Sequence, residues 1–140
     1  MDTILLLGGN FSDILLIKCA KRIGYRLIAV NNNPDKIVNK YCDEHVNLDY
    51  SDLDGVLSLA IERKISYILA GSNDAAYLTC SYVAENLGLP GYDNYQTAKV
   101  IHNKDMFRSF MFKNDIESKL GFKITIDELL SNGSINPYGP

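Results

Sequence analysis

Apolar and polar positions in this chain fall into alternating blocks. Short, nearly unbroken apolar runs occur at Ile4-Leu5-Leu6-Leu7, Leu27-Ile28-Ala29-Val30 and Tyr67-Ile68-Leu69-Ala70, with a shorter one at His45-Val46-Asn47-Leu48. Runs of this length, closed by glycine and asparagine, predict strands buried on both faces. Between them the apolar spacing changes to that of helices. Leu16, Cys19, Ala20 and Ile23 share one helical face with Lys18, Lys21 and Arg22 opposite, and Leu53, Leu57, Ala60 and Ile61 form a second stripe. Ala76, Cys80, Val83, Ala84 and Leu87 form a third.

The boundaries follow from capping chemistry. Ser12 is the expected N-cap of the first helix, with Asp13 near its positive end. Gly24 and Gly88 stand where helix C-termini favour a left-handed residue. Ser51 and Asp54 have the spacing of a capping box. Ile37 to Tyr41 reads as one short helical turn, and Leu89-Pro90-Gly91 as a turn. Tyr95–Ile101 and Lys104–Phe112 read as helices, the second with Met106, Phe107, Phe110 and Met111 on its apolar side. Phe122 to Ile126 reads as a strand, and Asp127 to Leu130 as the start of a helix. Strands alternating with helices imply an α/β fold, a Rossmann-like open parallel sheet with helices on both faces.

Composition narrows the class. The 140 residues are 46% hydrophobic and 22% charged, with net charge −3, which is ordinary for one globular domain and disfavours nucleic acid as a partner. No apolar run reaches the roughly 20 residues that span a bilayer, so no membrane partner is expected. Three cysteines, odd in number and far apart, suggest a reducing, cytoplasmic setting rather than a disulfide framework.

In an open parallel sheet, ligands bind beyond the carboxyl ends of the strands. Three strands end in Gly8-Gly9-Asn10, Asn31-Asn32-Asn33 and Gly71-Ser72-Asn73-Asp74. The substrate-binding candidates are therefore Gly8, Gly9, Asn10, Asn31, Ser72, Asn73 and Asp74, suited to a small carboxylate. The same residue types are also plain turn formers, and both readings stand at this point.

Other chemistries fail on spacing. The dinucleotide fingerprint needs glycine where Asn10 and Asp13 stand, and an acid where Asn31 stands. No Gly-Lys pair exists for a phosphate-binding loop, and Gly71-Ser72 continues without a nucleophile elbow. The two histidines and three cysteines lack metal-ligand spacing, and His45 and His102 read as surface or strand-edge residues. Asp49, Asp52 and Asp54 read as helix N-terminal acids rather than a cation site. No catalytic residue is assigned.

The order of features resembles the pre-ATP-grasp domain, the N-terminal domain of ATP-grasp ligases of the carbamoyl-phosphate synthase large-subunit and biotin carboxylase type. The segments that carry the resemblance are Ile4 to Asn10, Ala20 to Tyr25, Ile28 to Pro34, Tyr41 to Glu44, Ala70 to Asp74, Val83 to Gly91 and Asn103 to Arg108. Together they cover residues 1 to about 112, which the resemblance makes the domain. Residues 113–140 would be a linker or the start of an incomplete ATP-grasp core. The resemblance implies an ATP-dependent ligase that makes an acyl phosphate and lets an amine displace the phosphate. ATP and magnesium would be held by later subdomains, the partner of this domain within the same chain. Lys104 matches the family lysine that contacts ATP phosphate, and the stretch alone would be inactive. Asn10-Phe11-Ser12-Asp13 departs from relatives that have a third glycine and a glutamine there, which leaves the substrate open. A homodimer is a further possibility. The rivals are a free-standing flavodoxin-like module for a nucleotide or small metabolite, and a degenerate interaction domain.

Overall fold

A computed structural model of the chain describes residues 1–116. The expected strand at Phe122 to Ile126 and helix at Asp127 to Leu130 lie outside the described residues. The chain divides into two compact units, Met1–His102 and a second that begins at Asn103.

The first unit is built on four parallel strands, β1 (Thr3–Leu7), β2 (Arg26–Asn31), β3 (Glu44–Asn47) and β4 (Tyr67–Ala70), in the order β3-β2-β1-β4. β1 lies between β2 and β4, with Leu5 opposite Ile28 on one side and Ile68 on the other. That central place explains why all five of its residues are buried and why its apolar run is continuous. The two faces of the sheet follow the period of two along each strand. Leu5, Leu7, Ile28, Val30 and Ile68 face α2 (Leu53–Glu62) and α3 (Asp74–Leu87), through Val56, Leu59, Ala60, Ala76, Cys80 and Val83. Ile4, Leu6 and Leu27 face α1 (Ile14–Arg22) through Ile17 and Ala20, with Val38 beside them. Each fully buried Leu, Ile or Val in these layers contributes about 1.5–3 kcal/mol. α4 (Tyr95–His102) packs on α3.

Strand positions agree with the sequence reading to within a residue, but helix phases do not. The buried stripe of α1 is Ile14, Ile17 and Ala20, whereas Leu16 is 43% exposed and Ile23 70% exposed. Leu15, Leu16 and Ile23 are as apolar as the buried set, so hydrophobic spacing alone leaves the rotation of this helix ambiguous. The rotation instead follows Asp13, which is buried and anchored by hydrogen bonds described below. In α2 the buried residues are Val56, Leu59 and Ala60, and Ile61 is exposed. Two caps differ as well. Ser12 does not cap α1; a 3₁₀ turn over Phe11–Asp13 precedes that helix. Asp52, not Ser51, caps α2 by accepting from the Gly55 amide at 3.0 Å, while Ser51 bonds Asp49. Asp49, Asp52 and Asp54 thus serve turn and helix ends, as the sequence implied.

Several punctuation marks stand as read. Gly24 and Gly88 have φ of +95° and +66° at the ends of α1 and α3, and Ile37–Tyr41 is a short 3₁₀ helix. In the second unit, α5 (Lys104–Lys113) is capped by Asn103, whose side chain accepts from the Asp105 and Met106 amides at 3.1 Å each. Among the described residues, no helix is long and apolar enough to cross a membrane.

The cysteines are free, and two are chemically quiet. Burial pushes the Cys80 thiol up to about 12, and burial, with the Asp43 carboxylate adding to it, pushes Cys42 to about 11. The thiolate is the reactive form. At pH 8, iodoacetamide is expected to alkylate these two cysteines at least about tenfold more slowly in the native chain than in urea. Peptide mapping of timed samples checks this, and equal rates would contradict the buried placement.

Candidate functional site

The strand order reverses between β1 and β4: from β1 the chain steps outward through β2 to β3, then returns to the other side of β1 for β4. In parallel sheets the carboxyl edge at such a reversal is the usual ligand position. Of the three expected loops, those after β1 and β4 meet there, while the segment after β2 touches the first through Lys36, whose ammonium donates to the Gly9 carbonyl at 3.4 Å. The β1 and β4 loops are drawn together by backbone and by one carboxylate. The Gly71 amide donates to the Leu7 carbonyl at 2.9 Å. Gly71 passes so close to the first loop that a Cβ on it would stand 2.6 Å from the Gly9 nitrogen. Gly8 and Gly9 turn the first loop at φ of +80° and +78°, and a Cβ on Gly9 would meet Val38 at 2.8 Å. These positions need glycine for backbone conformation, for space, or for both.

Asp13 is the knot between the loops. One carboxylate oxygen accepts from the Asn10 amide at 2.6 Å and the other from the Ser72 hydroxyl at 3.0 Å. Ser12 joins the same network, its hydroxyl 3.2 Å from that of Ser72. The sequence reading gave Asp13 only a role at the helix end. Its signal was the Asn10-x-x-Asp13 spacing, a capping-box pattern with Asp in place of Glu.

Asn31 lies elsewhere. It is fully buried, its amide nitrogen donating to Asn39 at 2.8 Å and its amide oxygen accepting from the Asn33 backbone at 3.1 Å. Both halves of its side chain are thus committed to the loop after β2. Gly8 and Gly9 are buried in the junction, and Asn10 is exposed beside it. Ser72, Asn73 and Asp74 are exposed at the start of α3. Asn73 caps α3, its side-chain oxygen accepting from the Ala75 and Ala76 amides at 2.8 and 3.3 Å. Lys104 is exposed at the first position of α5, in the second unit.

Beside Ser72, Asn73 and Asp74, a cavity of about 590 Å³ runs along the outer side of β4. Its wall at this end is aromatic, made by Tyr77 of α3, Tyr92 and His102. The His102 ring lies against Tyr77 with centroids 4.4 Å apart and planes 32° apart, and Tyr92 meets Tyr77 nearly edge-on at 5.1 Å. The Tyr92 hydroxyl accepts from the Ala70 amide at 3.0 Å, fixing the ring against β4. Burial, with the Cys80 thiol nearby, raises the Tyr92 hydroxyl above its ordinary value, so it stays protonated. His102 also brings Nδ1 within 3.3 Å of an Asp74 oxygen.

His102 is therefore a cavity residue and not the surface residue expected from sequence. Its partners, Asp74 and Tyr77, are 28 and 25 positions away, so no local pattern marks it. His45 does lie on the edge strand β3, with Nε2 3.1 Å from the Asn31 carbonyl. Among the described residues, no group of three His, Cys, Asp or Glu side chains is placed to hold a metal ion.

No family model and no curated protein matches the sequence. Solved structures do match the fold. Phosphoribosylglycinamide synthetase from Anaerococcus prevotii superposes with a TM-score of 0.76 at 20% identity, over 93% of this chain and 33% of its own. L-amino acid ligase from Bacillus licheniformis gives 0.66 at 18% identity, over 87% and 36%. N5-carboxyaminoimidazole synthetase from Staphylococcus aureus, solved with ADP, gives 0.60 at 15%, over 81% and 30%. The chain thus spans about a third of the length of each structure. With four parallel strands, helices on both faces and this order of elements, it has the fold of the N-terminal domain of the ATP-grasp enzymes.

Proposed function

We propose that this chain is the substrate-side domain of an ATP-dependent ligase, with the nucleotide held mainly by an ATP-grasp core in further sequence. The observation that carries this reading is the close junction of the β1 and β4 loops at the carboxyl edge. It lies beside a cavity that runs along the outer side of β4, in a fold shared with the N-terminal part of ligases. In the reaction, a substrate carboxylate oxygen attacks the terminal phosphorus of ATP, giving an acyl phosphate and ADP. An amine then attacks the acyl carbon and phosphate leaves. The contribution of this chain is positional: the loops at Gly8-Gly9 and Ser72-Asn73-Asp74 hold one reactant at a fixed edge, which lowers the entropic part of the barrier. Magnesium, as the family resemblance has it, is held by acidic residues of the later subdomains. Within this chain Lys104 is the residue proposed to meet the nucleotide, as a compact cation for phosphate.

A consequence distinguishes this from a free-standing nucleotide module. Calorimetric titration of the 140-residue chain with Mg-ATP is expected to show no binding tighter than about 100 μM, since one lysine contact supplies only about 1.5–3 kcal/mol. Micromolar affinity would overturn the division of labour and favour a self-sufficient nucleotide site.

A further inference from the structure

The groups around the cavity favour one charge. Near Ser72 to Asp74 the hydrogen-bond donors are largely taken within the protein. The Asn73 side chain occupies the Ala75 and Ala76 amides, the Tyr77 amide bonds the Asn73 carbonyl at 3.1 Å, and the Asn73 amide bonds the Gly71 carbonyl. The Ser72 hydroxyl donates to Asp13, and the Asn73 side-chain nitrogen donates to the Tyr50 hydroxyl at 3.0 Å. The positive end of α3 carries its own counter-charge, Asp74, in the first turn. No lysine or arginine is among the described residues lining the cavity. An anion entering here would meet engaged donors and a carboxylate.

A cation would meet the reverse. Asp74 has 83% of its side chain exposed, leaving carboxylate surface open even with His102 at 3.3 Å. Tyr77 and Tyr92 line the cavity with aromatic rings, side chains of the kind whose quadrupoles attract an ammonium group. Asp93 stands behind Tyr77, 3.5 Å from its hydroxyl. Farther along, Ile68 and Leu69 make the cavity apolar.

We propose that this cavity recognises a primary ammonium group carried on an apolar or ring-bearing stem, with Asp74 as its counter-ion and Tyr77 and Tyr92 as its walls. The inference rests on the substrate-side reading above and sharpens it. The reactant held here would be the amine-bearing one, and the carboxylate to be phosphorylated would be bound elsewhere.

Three probes of matched shape test it: 2-phenylethylamine, 3-phenylpropionate and 2-phenylethanol, titrated into the ¹⁵N-labelled 140-residue chain and followed by amide shifts. The amine is expected to move the amides of Ser72 to Tyr77 and of Tyr92, with a Kd at least about tenfold below that of the carboxylate. In Asp74→Asn the amine should weaken about tenfold, to the level of the alcohol. Asp35→Asn, a carboxylate outside the cavity lining, should leave it unchanged. Retained peak dispersion in Asp74→Asn shows that the fold persists, as the exposure of that side chain implies. If the carboxylate binds as tightly as the amine, the ammonium assignment falls and the substrate-side reading stands. If none of the three moves these amides, both fall.

Discussion

Gly71→Ala is expected to destabilise the chain by about 3 kcal/mol, lowering the thermal midpoint by about 10 °C. The added methyl would stand 2.6 Å from the Gly9 nitrogen and 3.0 Å from both the Gly9 Cα and an Asp13 oxygen. Two of these atoms are backbone, held by a loop that Gly8 and Gly9 already turn at positive φ, so neither withdraws cheaply. Relief requires separating the ends of β1 and β4, which breaks the Gly71 amide bond to Leu7 and the Ser72 bond to Asp13. Gly88→Ala is the control. Its φ of +66° costs an L-residue about 1 kcal/mol, but nothing lies within 4 Å of the new methyl. Thermal unfolding of both variants by circular dichroism separates the two causes. A loss at Gly71 no larger than that at Gly88 would show that the loops are not in the close contact described.

The second large effect concerns Lys104. In a protein that includes the ATP-binding core, Lys104→Ala is expected to raise KM for ATP by about tenfold to a hundredfold, the loss of one charge-assisted phosphate contact of about 1.5–3 kcal/mol. Lys104→Arg should recover part of it, since the charge remains while the geometry changes. Misfolding is a poor explanation for such a loss. Lys104 is exposed in the first turn of α5, Asn103 supplies the cap independently, and alanine is the better helix former. Steady-state kinetics with ATP varied at saturating second substrate give the answer. An unchanged KM would remove Lys104 from the nucleotide site.

Strands and caps differ in how much the sequence revealed of them. The run at Ile4 to Leu7 is β1 less one residue, because a strand covered on both faces must be apolar at every position. The run at Tyr67 to Ala70 coincides with β4, at the edge of the described sheet, where only Ile68 is fully buried. Gly24 and Gly88 were legible for an equally local reason, the cost of a side chain at positive φ. The phase of α1 was not. Ile14, Leu15, Leu16, Ile17 and Ile23 offer more apolar positions than one buried stripe can use, and the deciding atom is a carboxylate bonded to a loop almost sixty residues away.

The candidate site divides along the same line. Gly8, Gly9, Ser72, Asn73 and Asp74 were visible because strand ends in a parallel sheet are where ligands and tight turns both occur. Asn31 shares the composition of those loops, yet the strand order puts it on the far side of β1, where its amide closes its own turn. His102 was invisible for the opposite reason, having no chemically suggestive neighbour in sequence.

What the sequence by itself determined is everything governed by contacts within a few residues: strand and helix identities, the glycine turns, most element ends and the α/β class. Only the tertiary structure decided which loops meet, that Asp13 ties them, and that Tyr77, Tyr92 and His102 form the wall beside Asp74. The physical reason is that periodicity and capping are local free energies, whereas the tertiary packing brings together residues 15 to 59 positions apart. Their encounter is set by packing of the whole core, not by any pattern along the chain.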